Sequence, residues 1–112
     1  MRETFHLVAL EIWSASDTDL PYGSWSLATE GFTHCTDGVG ELGATFDRFY
    51  ASDPRPFVAI SLDLDALDVP WRYDVEGSPY PHIYGPIAPQ AIMGESRVER
   101  DEDGHFRGLT PI

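Results

Sequence analysis

Residues 57–64, Phe-Val-Ala-Ile-Ser-Leu-Asp-Leu, are the stretch around which the rest of the chain is read. Polar residues interrupt the apolar run only at Ser61 and Asp63, so it alternates partly and reads as the central strand of a sheet. Breakers bound it on both sides. Ser52-Asp53-Pro54-Arg55-Pro56 stops whatever precedes it, and Asp65-Ala66-Leu67 turns the chain after it. Immediately upstream, Val39, Leu42, Phe46, Phe49 and Tyr50 follow one another at spacings of 3, 4, 3 and 1, which predicts a helix over 39–50 with one apolar face. Thr36 and Asp37 are good cap types ahead of it.

Working outward, 32–35 reads as a short strand and 4–10 as a first strand. In the latter, Phe5, Leu7 and Ala9 share one face, and His6 and Val8 the other. A short helix over 10–16 carries Ile12 and Trp13. Residues 17–23 are a loop by composition, and 25–28 form a helical turn ending near Gly31. Downstream, 69–73 is an edge strand with Pro70 near its start, and 80–84 is strand-like but interrupted by Pro81. Residues 91–98 form a strand with a bulge at Gly94. Asp101-Glu102-Asp103-Gly104 is a hairpin turn, and 105–109 returns as the last strand. Strands run throughout with two helix-like segments, and nothing alternates as βαβ. The expected class is α+β, with a split, strongly bent, mostly antiparallel sheet.

Length and charge bound the function. At 112 residues the chain fits one domain, 1–112, able to bury roughly two-thirds of its unfolded surface. With 42% hydrophobic residues it is not a disordered chain. Seven basic residues, all Arg, stand against 19 acidic ones, for a net charge of −12. Such a surface repels phosphate backbones and anionic membranes, so neither nucleic acid nor a membrane is an expected partner. A local Arg cluster remains able to hold one small phosphate ligand. Cys35 is the lone cysteine, which excludes an internal disulfide and a Cys-rich zinc site. The N-terminal residues lack a signal-peptide core, and no apolar run reaches a membrane span. The expectation is a cytoplasmic protein.

Three segments hold the unusual polar residues: Phe5-His6-Leu7, Gly31-Phe32-Thr33-His34-Cys35-Thr36 and Pro81-His82-Ile83-Tyr84-Gly85. Each sets a His among apolar neighbours on a strand. An imidazole can donate, accept or ligate at neutral pH. Three on one small sheet are candidates for one cleft, and equally for hydrogen-bonding residues that hold the sheet together. A three-His metal site is the other reading, although no His-x-His or His-x-x-x-His spacing supports it. Cys35 reads as a small core residue, because adjacent strand residues such as His34 and Cys35 point to opposite faces. Asp63 and Asp65 read as turn or cap residues, and Asp101 to Asp103 as a solvated turn. Trp13, Trp25 and Trp71 read as core, with one of them available as a stacking wall.

These segments, with Trp13, Arg48-Phe49-Tyr50 and Asp103-Gly104-His105-Phe106, resemble the bacterial domain-of-unknown-function family 952 in order and spacing over nearly the whole chain. The resemblance implies a fold similar to the ADP-ribosyltransferases and RNA 2′-phosphotransferase, in which two sheet halves form a split cleft for NAD. It implies that His6 holds the ribose side of NAD, and that the strand from Phe32 to Thr36 lies against the nicotinamide or ribose. Glu95 is the nearest counterpart of a late-strand glutamate that stabilises developing positive charge. The site so expected has His6, His34 and Glu95 as catalytic residues and His6, Thr36, His82, Tyr84 and Trp25 as binding residues. NAD or a related nucleotide is the ligand. The alternatives are a non-catalytic ligand-binding or interaction module and a His-based metal-dependent hydrolase.

Overall fold

A computed structural model describes residues 1–112. The elements are β1 (Glu3–Ala9), α1 (Leu10–Ser14), α2 (Trp25–Glu30), β2 (Thr33–His34), α3 (Val39–Phe49), β3 (Phe57–Asp63), β4 (Trp71–Arg72), β5 (His82–Ile83), β6 (Ile92–Arg100) and β7 (Phe106–Pro111). Single 3-10 turns lie at Leu64–Ala66 and Pro89–Ala91. In the first of these turns Asp63 accepts the amide of Asp65 at 3.0 Å, the capping role its position predicts.

The α+β class holds, and the expected split, mostly antiparallel sheet is present as two separate antiparallel sheets. One runs β1-β3-β6-β7 and the other β2-β5-β4. The central strand is where the sequence puts it: β3 lies between β1 and β6, with His6, Ile60 and Glu95 side by side across the three strands. The second sheet is made of two-residue strands. Pro70 stands just before β4 and Pro81 just before β5, and neither offers a backbone N–H, so the ladder of the expected longer strands 69–73 and 80–84 is interrupted there, although the Pro70 and Pro81 carbonyls still accept from the Tyr84 and Cys35 amides. The two sheets meet at one bridge, where Phe5 and Thr36 exchange backbone bonds of 3.0 and 2.8 Å. The expected bulge on the sixth strand is present: Ser61 faces Gly94 and Leu62 faces Ile92, which leaves Met93 as the extra residue.

The larger sheet is covered on both faces. Phe5, Ala9, Phe57, Ala59 and Val98 pack against Leu42 and Phe46 of α3. Val8, Val58, Ile60 and Leu62 pack against Trp13, and against Cys35 and Ile83 from the smaller sheet. The expected apolar stripe of α3 is only partly buried. Leu42 and Phe46 are fully enclosed, while Val39 in the first turn and Phe49 in the last are exposed. Gly43 sits so close to β7 that a Cβ there would lie 2.7 Å from the Phe106 ring, so α3 and β7 approach as only glycine permits. After α3, the Arg100 guanidinium gathers the carbonyls of Tyr50, Ala51 and Asp53 and fixes the loop that leads to Arg55.

Candidate functional site

β1 is an edge strand of the larger sheet, and its edge is only half used. The N–H and C=O of Phe5 point away from β3, to Thr36. Outward-pointing backbone groups recur every second residue in an antiparallel pair, so those of Leu7 point the same way. By then the partner chain has turned off into α3. The Leu7 amide and carbonyl open instead into a groove of about 790 Å³ that runs along β1. Its walls come from α1 and α2, the outer residues of the smaller sheet, and the last turn of α3.

Its rim is apolar and aromatic. Trp25 is 79% exposed and Phe49 63%, and both line the groove. Trp25 projects from a short helix whose start is pinned from below. Ser24 accepts the Leu27 amide at 3.1 Å and bonds the buried Thr33 hydroxyl at 2.7 Å. The core reading of the tryptophans therefore holds for Trp13 and fails for Trp25, because α2 has no buried face to offer it. Arg48 and Arg55 supply positive charge in an acidic chain. Arg55 is held by Asp53 and Glu11, and Arg48 has no acidic partner.

His6 lies at the groove floor, 8% exposed. Its Nδ1 is 2.9 Å from the His34 carbonyl, which can only accept, so Nδ1 carries the proton. Nε2 is then an acceptor, and the Tyr22 hydroxyl donates to it at 3.2 Å. Burial lowers the His6 pKa, and burial likewise pushes the Tyr22 phenol up to about 12. His6 is thus a neutral brace between β1, β2 and the 17–23 loop. Tyr22 also exchanges backbone bonds with Ile87, at 2.9 and 2.8 Å.

The smaller sheet turns Thr33, Cys35 and Ile83 inward, and His34, His82 and Tyr84 outward. Cys35 is buried as expected, and burial raises its thiol pKa far above the ordinary range. His34 and His82 are direct cross-strand partners with ring centroids 5.4 Å apart. His34 Nε2 meets Glu30 at 3.1 Å. The His82 ring stacks on Phe32 at 4.0 Å, and its Nδ1 lies 2.6 Å from Asp74. Asp74 also accepts from Arg72 at 2.6 Å and from the Tyr84 hydroxyl. These donors hold the Asp74 carboxyl far below the usual carboxylate range, the Tyr84 hydroxyl first.

The structure therefore brings His6, His34, Thr36, Trp25 and His82 to one groove and leaves two expected residues outside it. Tyr84 stands behind His82 on the outer face, with the Arg72 guanidinium over its ring at 4.1 Å. Glu95 is on the same sheet face as His6, but its carboxylate accepts the Trp13 indole N–H at 2.8 Å beneath Tyr22. The three histidines do not form a ligand cage: their nitrogens do not gather within 4.8 Å of one another, as the carboxylate oxygens of Asp101 and Asp103 and a ring nitrogen of His105 do on the exposed hairpin. That hairpin is the solvated turn expected of it, with Asp101 accepting the amides of Asp103 and His105. Tyr22, Asp74 and the Leu7 backbone are site features that the sequence did not single out. Residues 17–23 carry loop composition only, and Asp74 lies between strands too short to read.

No helix is long and apolar enough to cross a membrane. Residues 7–95 match the family described as "Protein of unknown function (DUF952)". No curated protein has a matching sequence. Among solved structures, the crystal structure of protein CC0527 from Caulobacter crescentus is similar at a TM-score of 0.73 and 18% identity, over 94% of this chain and 93% of that one. The solution NMR structure of CC0527 is similar at 0.71 and 20%, over 94% and 91%. At such identity the likeness carries the fold alone.

Proposed function

The chain belongs to this DUF952 family of proteins of unknown function, and we propose that its groove along β1 binds a nucleotide of the NAD or ADP-ribose class. The observation that carries this reading is the free Leu7 edge in a groove that also carries the exposed Trp25 and Phe49 rings and the Arg48 guanidinium. A backbone N–H beside a backbone C=O complements the oxygen and amide nitrogen of a carboxamide, or the donor–acceptor edge of a base. Trp25 offers a face for a planar ring to stack on. Arg48, which has no acidic partner, supplies a fork-shaped donor for a pyrophosphate, whereas Arg55 is already held by Asp53 and Glu11. The family resemblance read in the sequence implies an ADP-ribosyltransferase-like split cleft, and the same ligand class suits a cleft that begins where β1 and β2 part. His6 serves the ligand by holding that split open at a fixed width. Glu95 acts at a distance, through Trp13.

Calorimetric titration with NAD and with ADP-ribose tests the reading. Saturable binding is expected, weakened about tenfold or more in Trp25→Ala, since stacking one ring contributes about 1–3 kcal/mol. Arg48→Ala should weaken it further in low salt than in high. No heat at millimolar ligand from a folded protein would refute it.

A second reading rests on the same free edge. An extended peptide could add a strand to β1 at Leu7 and seat apolar side chains against Trp25, Ile12 and Phe49. Titration with NAD separates the two, because a peptide site has no reason to require Arg48.

A further inference from the structure

Resting on the nucleotide reading above, we propose that Asp74 and His82 form an acid–base dyad at the groove wall, with His82 the catalytic base and Asp74 the positioning residue. The assignment follows from which atoms are already engaged. An ionised carboxylate only accepts, so the 2.6 Å contact from Asp74 places the His82 proton on Nδ1. Nε2 then carries the lone pair, and it has no partner within the chain. His82 lines the groove along β1, whereas Asp74 lines a separate cavity of about 630 Å³ and not the groove. The dyad thus presents its base, and not its carboxylate, to the groove. Orientation is fixed from two further directions: Phe32 stacks against the imidazole with 18° between the planes, and Arg72 and Tyr84 lock Asp74 by their own bonds to it. A base held in one tautomer by a carboxylate that is itself held is the arrangement that activates a hydroxyl nucleophile.

The reaction such a base serves here is hydrolysis of the nicotinamide–ribose bond. A water bound at Nε2 attacks the anomeric carbon, and its proton passes to Nε2. The new carbon–oxygen bond forms as the carbon–nitrogen bond breaks, and that electron pair leaves on the nicotinamide nitrogen. The proton then goes from Nε2 to solvent. The products are ADP-ribose, nicotinamide and one proton. No other reactant is needed.

The groups facing His82 are Asp74 and Arg72 from β4 and the residues after it, Tyr84 following β5, and His34 from β2 with its partner Glu30 from α2. The test measures nicotinamide release from NAD by chromatography between pH 5 and 9, alongside calorimetric binding of NAD. Wild type, His82→Gln and Asp74→Asn are compared. His82→Gln should bind within a few fold of wild type and lose about a hundredfold or more in release, the usual worth of a general base. Asp74→Asn should likewise bind NAD within a few fold of wild type while release falls, whereas a merely structural role for Asp74 would lower binding and release together. His82 lies on the outer sheet face, so its variant keeps the test open even if Asp74→Asn does not fold. Binding with equal release in wild type and His82→Gln, or binding with no release at any pH, would overturn the dyad alone. Absence of binding would overturn the nucleotide reading and the dyad with it.

Discussion

His6 and His82 stand in similar sequence settings, each a strand histidine with an apolar residue behind it, and the structure gives them opposite surroundings. His6 belongs to a sheet covered on both faces, and both of its ring nitrogens are engaged by the chain. His82 belongs to a sheet covered on one face, and one of its nitrogens is left open. The difference comes from what lies over each strand. A histidine beneath Tyr22 and Trp13 must find internal partners, because an unpaired buried donor or acceptor costs about 1–3 kcal/mol. A histidine on the uncovered face of two-residue strands has water to meet that need. Flanking residues therefore do not decide a histidine's role; the layer above it does.

The comparison is sharpest in the packing itself. Phe46 is fully enclosed between α3 and the larger sheet, and Phe46→Ala should destabilise by about 3–5 kcal/mol in urea unfolding. Phe32 lies on the outer face of the smaller sheet, and Phe32→Ala should lose far less. Equal losses would mean that the outer face of the smaller sheet is packed as fully as the face of the larger sheet beneath α3.

The histidines come next. His6→Ala leaves the His34 carbonyl and the Tyr22 hydroxyl without partners and should cost about 2–4 kcal/mol. His82→Ala should unfold near the wild-type midpoint. A reversal of that order would dissolve the contrast between brace and base.

Acidity probes the same contrast more gently. Burial holds the folded His6 pKa below the ordinary imidazole value near 6.5, so the unfolded chain binds the proton first. Stability should be at its full value above about pH 6.5 and fall as pH drops from there toward the folded pKa. His6→Gln should remove that part of the slope. The Asp74 carboxyl, held low, contributes stability that is fully present above the ordinary carboxylate range and is lost as pH falls from there toward its folded pKa. The smallest stability effect should come from Trp25→Ala, within about 0.5 kcal/mol of wild type, with its consequence confined to ligand affinity.

Much of the fold is legible in the sequence, because long elements carry their own periodicity. The central strand, the helix from Val39, the hairpin at Asp101 and the bulge beside Gly94 all follow from pattern and turn chemistry. The smaller sheet is not legible as such: two-residue strands bounded by Pro70 and Pro81 have no period to read, and their pairing is set by tertiary contact. The site is legible in part for the same reason. His6 is found by residue type on a readable strand, and His34, Thr36 and His82 by residue type alone. Tyr22 and Asp74 sit in irregular chain, and the free edge at Leu7 is a backbone property that no side chain announces. Glu95 carries the right chemistry in sequence, but the Trp13 indole occupies its carboxylate.

The most direct test of the account is to follow backbone and indole amide resonances while ADP-ribose is added to the isotopically labelled protein. The Leu7 amide and the Trp25 indole N–H should shift together and saturably, with His34 and His82 beside them, while the hairpin from Asp101 to His105 stays still. Saturable shifts that spare Leu7 and Trp25, or no shifts at millimolar ligand, would contradict the claim that the open edge of β1 is a nucleotide site.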